Sequence, residues 1–152
     1  MICALAVRVK NLKNAMEGKR KISILIPYIS TGNDILAYLQ KRSKDAKRLP
    51  DYFGFFGGGA EGDENPEQTL RREMKEEINF VPEGFIHFKK YEFDQSVKDI
   101  YILEVDDNFG DKITVLEGEY GKWFTEQEAI NEPKLIDEDK LVLTEVYEFL
   151  RK

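Results

Sequence analysis

The stretch "GGGAEGDENPEQTLRREMKEEINF", residues 57–80, decides the reading of this chain. It sets seven carboxylates, a glycine triplet, two arginines and one lysine in a single turn and helix. The helix start is explicit. Asn65 suits the N-cap, Pro66 the first helical position, and Gln68 the place of a capping-box partner. The periodicity predicts a helix over Pro66–Ile78, with Leu70, Met74 and Ile78 on one core-facing stripe. Glu73, Glu76 and Glu77 form an adjacent stripe at i,i+3 and i,i+4 spacing, where like charges repel. Divalent ions would cancel that repulsion, because hard cations prefer carboxylate oxygen. Arg72, one turn before Glu76, can hold a carboxylate by a bidentate contact. Asn79 falls where the helix should end, and asparagine tolerates the left-handed conformation of a C-terminal cap. Taken alone, the charges also suit a solvated acidic helix with the basic residues as neutralisers.

The rest of the chain narrows the options. At 152 residues it is read as one domain, 1–152, long enough to bury a core. A net charge of −6 argues against general nucleic-acid binding or attraction to a membrane surface. One cysteine, Cys3, requires no oxidising compartment, and no apolar run is long enough to span a bilayer, so the expected location is the cytoplasm. His87 is the sole histidine and sits in "EGFIHFKKY", where a strand face is its expected place. A histidine-rich zinc site is therefore excluded, and carboxylates favour magnesium, manganese or calcium.

Strands are expected in "ICALAVRV" (2–9), "KISILIPYI" (21–29), "ILAYLQKR" (35–42) and "DYFGFFGGG" (51–59). Further strands are expected in "GFIHFKKYEF" (84–93), "VKDIYILEV" (97–105), "KITVLEG" (112–118) and "GKWFT" (121–125). Helices are expected at "EQEAINE" (126–132) and "DEDKLVLTEVYEFLRK" (137–152). In the last of these Leu141, Leu143, Val146, Phe149 and Leu150 are the expected core stripe. The order suggests an α/β fold, a mixed sheet with helices on its faces.

The wider spacing changes the weighing of the acids. Gly58, five residues, Glu64, seven residues, then "REMKEEINF" resembles the box of the Nudix hydrolases, G-x5-E-x7-R-E-U-x-E-E-x-G-U. Gly58, Glu64, Arg72, Glu73, Met74, Glu76, Glu77 and Phe80 fit, and Asn79 replaces the last glycine. Six fixed matches arise by chance on the order of once in ten million windows at average residue usage. The resemblance implies the Nudix fold, an α-β-α sandwich with a mixed central sheet. It also implies magnesium-dependent hydrolysis of a nucleoside diphosphate derivative by water attack on phosphorus, with manganese able to substitute.

By the same resemblance Glu76 and Glu77 are the principal metal ligands, and Glu73 is a third ligand or the base that orients water. The carbonyl of Gly57 is an extra ligand, and Glu64 is the partner that fixes Arg72 or a ligand. A further acid is expected before a tryptophan-bearing strand; "EGEYGKWF" offers Glu117 and Glu119, and Glu117, six residues before Trp123, is favoured. The basic segment "KRSKDAKR" (41–48), with Arg42 and Arg48, is a candidate for phosphate contact, and Tyr52, Phe53 and Phe56 for stacking on a base. Ser96, Val97 and Lys98 stand where ADP-ribose and dinucleoside-polyphosphate cleavers place a proline or tyrosine, which leaves a nucleoside triphosphate or a nucleotide sugar. A non-catalytic nucleotide-binding module on the same fold is the alternative; loss of the box glutamates would favour it, and all are present. The partner expected is a small molecule, with a homodimer left open.

Overall fold

The structure, a computed structural model, describes residues 18–152. The strand expected at 2–9 lies outside them. The central strand is β1 (Arg20–Thr31), whose sequence carries the apolar run Ile24–Leu25–Ile26. A run rather than strict alternation is what a strand covered on both faces requires. Along one edge β1 pairs in parallel with β6 (Ser96–Glu104), from Arg20↔Ser96 to Tyr28↔Glu104. Its other edge is shared. The first half, Ile22–Leu25, pairs with β4 (Phe56–Gly59), and the second half, Tyr28–Thr31, with β2 (Asp34–Lys41). β2 carries on past β1 to pair with β7 (Tyr120–Phe124) and with the short β3 (Phe53–Gly54). Antiparallel β5 (Ile86–Glu92) flanks β6, with a bulge between His87 and Lys89.

Because side chains alternate across a strand, the sheet presents two cores. Ile24, Ile26, Ala37, Leu39, Ile100 and Ile102 cluster with Val142, Leu143, Val146 and Tyr147 of α4 (Asp137–Arg151). Leu25, Tyr38, Phe56, Tyr101 and Leu103 cluster with Leu70, Met74 and Ile78 of α1 (Pro66–Ile78) and with Phe109 of the short α2 (Phe109–Lys112). A further short helix, α3 (Glu126–Asn131), follows β7 and is capped by Thr125 and Glu128. The architecture is thus helix, mixed sheet, helix.

Two expectations need correction. The buried row of α4 is Asp139, Val142, Leu143, Val146 and Tyr147, while Leu141 and Phe149 are 51% and 53% exposed. The Tyr147 hydroxyl donates to the Phe124 carbonyl at 2.6 Å, which fixes the rotation of the helix about its axis. "KITVLEG" forms no strand. Its backbone instead caps α1, with Thr114 N–H donating to the Ile78 carbonyl at 3.1 Å and Leu116 N–H to Glu77 at 2.7 Å. Among the described residues, no helix is long and apolar enough to cross a membrane.

Candidate active site

Local chemistry holds α1 in place before any tertiary contact is made. Asn65 Oδ1 accepts from Gln68 N–H at 2.8 Å while Gln68 Oε1 accepts from Asn65 N–H at 2.9 Å, closing the capping box behind Pro66. At the other end Asn79 is left-handed, φ 50° and ψ 49°, and its N–H returns to the Lys75 carbonyl. Between these caps Leu70, Met74 and Ile78 are fully buried, which turns the acidic stripe toward β4 and the edge of a cavity.

Arg72 organises that stripe. It grips Glu64 with two parallel bonds, Nε to Oε2 at 2.7 Å and Nη2 to Oε1 at 2.9 Å. Nη1 reaches Glu73 at 3.0 Å and Glu76 at 3.2 Å, and Nη2 also donates to the Gly59 carbonyl at 2.9 Å. Bidentate contact of this kind sets orientation as well as energy. Glu64 accepts in addition from the Glu61 N–H and the Thr69 hydroxyl. The Arg72 guanidinium, with these donors, holds the Glu64 carboxyl down to about 2.

Glu77 differs from its neighbours. It is 5% exposed, and its Oε2 accepts from the Gly57 N–H at 3.0 Å. Burial pushes its carboxyl up to about 8, the amide of Gly57 opposes that rise, and the charges of Glu73 and Glu117 add to it. Burial also raises Glu73, against the pull of Arg72 and with the push of Glu76 and Glu117. Glu117 thus belongs to the same field as the α1 acids, brought there by the backbone bonds of its loop to the end of the helix.

The glycines before the helix are dictated by space. Gly57 has φ 145°, and a Cβ on it would overlap the Ser23 carbonyl of β1; a Cβ on Gly58 would lie 2.5 Å from the Glu73 carboxyl carbon. Without side chains, β4 lies against both β1 and the acids.

The cavity beside these residues has a volume of about 530 Å³ and is lined by Gly57, Gly58, Glu73, Glu76, Glu77 and Glu117 on one side. Arg42 and Arg48 also line it, with Nε of Arg42 donating to the Arg48 carbonyl at 2.8 Å. Tyr52 does not line it, and Phe56 is fully enclosed in the core beneath α1, stacked on Tyr38. The aromatic residues that do face the cavity are Phe53 and Phe55. Phe53 and Phe55 enter one core and Phe56 the other, as alternation of side chains through the segment requires. Arg20, Gln40, Lys98 and Asp139 also line the cavity and were not singled out as site residues from sequence.

Among the described residues, no three acid, histidine or cysteine side chains are already closed around an ion position. The donor chemistry nonetheless fits a hard divalent cation. Glu73, Glu76, Glu77 and Glu117 line one cavity, and among the described residues the most buried of them, Glu77, has no ion pair of its own.

Comparison with known proteins agrees with this geometry. Residues 19–146 match the NUDIX domain family. Over 75 residues the chain is 32% identical to the 8-oxo-dGTP diphosphatase of Escherichia coli (strain K12), a match that covers 49% of this chain and only 57% of that enzyme. The NUDIX domain of Shewanella oneidensis NrtR, solved with ADP ribose, superposes with a TM-score of 0.67 at 18% identity, covering 93% of this chain and 97% of that one. A MutT structure from work on Aliivibrio salmonicida and Vibrio cholerae gives 0.68 at 22% identity, covering 86% and 98%. A Caenorhabditis elegans Ap4A hydrolase gives 0.63 at 22%, covering 87% and 98%. These structures share the mixed sheet and flanking helices, and with the family match over most of its length, the chain belongs to the Nudix family.

Proposed function

We propose that the protein hydrolyses the pyrophosphate linkage of a nucleoside diphosphate derivative, a nucleoside triphosphate or a nucleotide sugar, by divalent-metal-dependent attack of water on phosphorus. The observation that carries this reading is that Glu73, Glu76, Glu77 and Glu117 line one cavity together with Arg42 and Arg48. Magnesium or manganese, held by Glu76 and Glu77 with Glu73 or Glu117, would offset phosphate charge and lower the pKa of the attacking water. Arg72 fixes the Glu73 carboxylate through one oxygen and is itself locked by Glu64. Glu73, raised by burial, is suited to take a proton from water, and Glu117 is the other candidate for that role. Arg42 and Arg48 supply fixed positive charge for the phosphates. Likeness to an 8-oxo-dGTP diphosphatase supports a triphosphate over a nucleotide sugar.

The test is a panel of nucleoside triphosphates and nucleotide sugars with magnesium, read by release of phosphate and pyrophosphate. EDTA should stop turnover and magnesium or manganese restore it. One turnover in oxygen-18 water should place the label on a single phosphate product. Activity that survives complete metal removal, or a trapped phospho-enzyme, would overturn the mechanism.

A further inference from the structure

Away from the carboxylate wall, the cavity is lined by two charged residues that occupy apolar positions of their elements. On β6 the row facing α4 reads Lys98, Ile100, Ile102, and on α4 the buried row begins with Asp139 and continues with Val142 and Leu143. Periodicity calls for hydrophobic side chains at both places. Lys98 is 8% exposed and Asp139 6%, and both line the cavity with Ile22, Ile24, Phe53 and Phe55.

Their mutual contact is loose. Lys98 Nζ stands 3.6 Å from Asp139 Oδ1 and 3.4 Å from Glu138 Oε2, both longer than a good N–H···O bond. Among the described residues Asp139 accepts no hydrogen bond within 3.5 Å, whereas every fully enclosed side-chain nitrogen or oxygen has a partner. The access its oxygens retain is therefore to the cavity that the residue lines. Burial lifts the Asp139 carboxyl to about 6 even with Lys98 beside it, so the pair does not offset its own desolvation. A buried ion pair kept for stability needs close, fully bonded geometry. A ligand that supplies the missing bonds accounts for its absence.

Resting on the reaction proposed above, we infer that Lys98 and Asp139 are a specificity-determining pair that reads the edge of the substrate's base. They would select a heterocycle in which a ring N–H adjoins a carbonyl. The ammonium can only donate, so it takes the carbonyl oxygen; an ionised carboxylate can only accept, so it takes the ring N–H. Phe53 and Phe55 offer apolar walls for a flat ring. Sites that hydrogen-bond a substrate group reject analogues lacking it far more strongly than apolar pockets do.

The experiment has two arms. Initial rates are measured for GTP, ITP and UTP, which carry that edge, and for ATP and CTP, which do not. Separately, binding of GMP, IMP, UMP, AMP and CMP is measured by calorimetry in EDTA, where no turnover occurs. The wild type should favour the first group in both arms. Asp139→Asn should raise KM at least tenfold for GTP, ITP and UTP, change kcat by less than about threefold, and flatten the preference; Lys98→Met should do the same. Asp139→Asn is nearly isosteric and decides the matter alone if Lys98→Met fails to fold. Selective monophosphate binding that is lost in Asp139→Asn supports the pair even if no triphosphate is hydrolysed, a result that would sink only the proposed reaction. Absence of base preference in both arms, or an equal effect of Asp139→Asn on every base, would overturn the inference.

Discussion

Replacing Glu77 by glutamine should make the metal-free protein more stable at neutral pH while removing its activity. The carboxyl is 5% exposed, faces Glu73 and Glu117, and has one amide donor, the Gly57 N–H, which a glutamine oxygen can still satisfy. Burial raises its pKa from 4.5 to about 8 in the folded protein. The folded state therefore holds a proton that the unfolded state has released, and stability falls as pH rises from about 4.5 toward 8. Each pKa unit is worth 1.36 kcal/mol. By pH 7 the side chain costs about 3 kcal/mol, less whatever relaxation of the site returns. Denaturation in EDTA between pH 5 and 8.5 measures this directly. The wild type should lose stability across that window relative to Glu77→Gln, and the two should converge near pH 5. Added magnesium should stabilise the wild type and do little for the variant. A variant less stable than wild type at pH 8, or a difference that does not change with pH, would refute the reasoning.

At the end of α1, Asn79→Gly should be nearly neutral and Asn79→Val should cost about 1 kcal/mol or more, because φ is 50° there; equal melting of the two in thermal denaturation would contradict this. Gly58→Ala should fold but lose most turnover, since the new methyl displaces the Glu73 carboxylate; steady-state rates beside a thermal melt separate the two effects. Tyr147→Phe should cost about 0.5–1.5 kcal/mol in urea denaturation, as it removes the hydroxyl's bond to the Phe124 carbonyl, with kcat little changed.

Some of this architecture was legible in the residues and some was not, for physical reasons. The helix from Pro66 to Ile78 and its caps rest on contacts only a few residues apart, so the sequence states them outright. The contact of Arg72 with Glu64, eight residues away, was implied only by the resemblance to the Nudix box, since Glu64 lies before the helix begins. Alternation sets Phe56 opposite Phe53 and Phe55, but which of the two faces meets the cavity could not be placed, because elements distant in sequence decide it. Nor could "KITVLEG", whose alternation suits a strand although its amides bond to the last carbonyls of a helix more than thirty residues earlier. Lys98 and Asp139 left a fainter mark: each is a charge at the end of an apolar period, a sign that acquires meaning only when the two elements meet at one cavity.

The bonds from Thr114 and Leu116 to the last turn of α1 have a mechanical consequence. Glu117 rides on a loop, yet its neighbour Leu116 is bonded to the backbone carbonyl of Glu77, so the backbones that carry the two acids move together. Amide hydrogens of Leu116 and of the final helical turn should then exchange with solvent at similar rates, as parts of one opening unit.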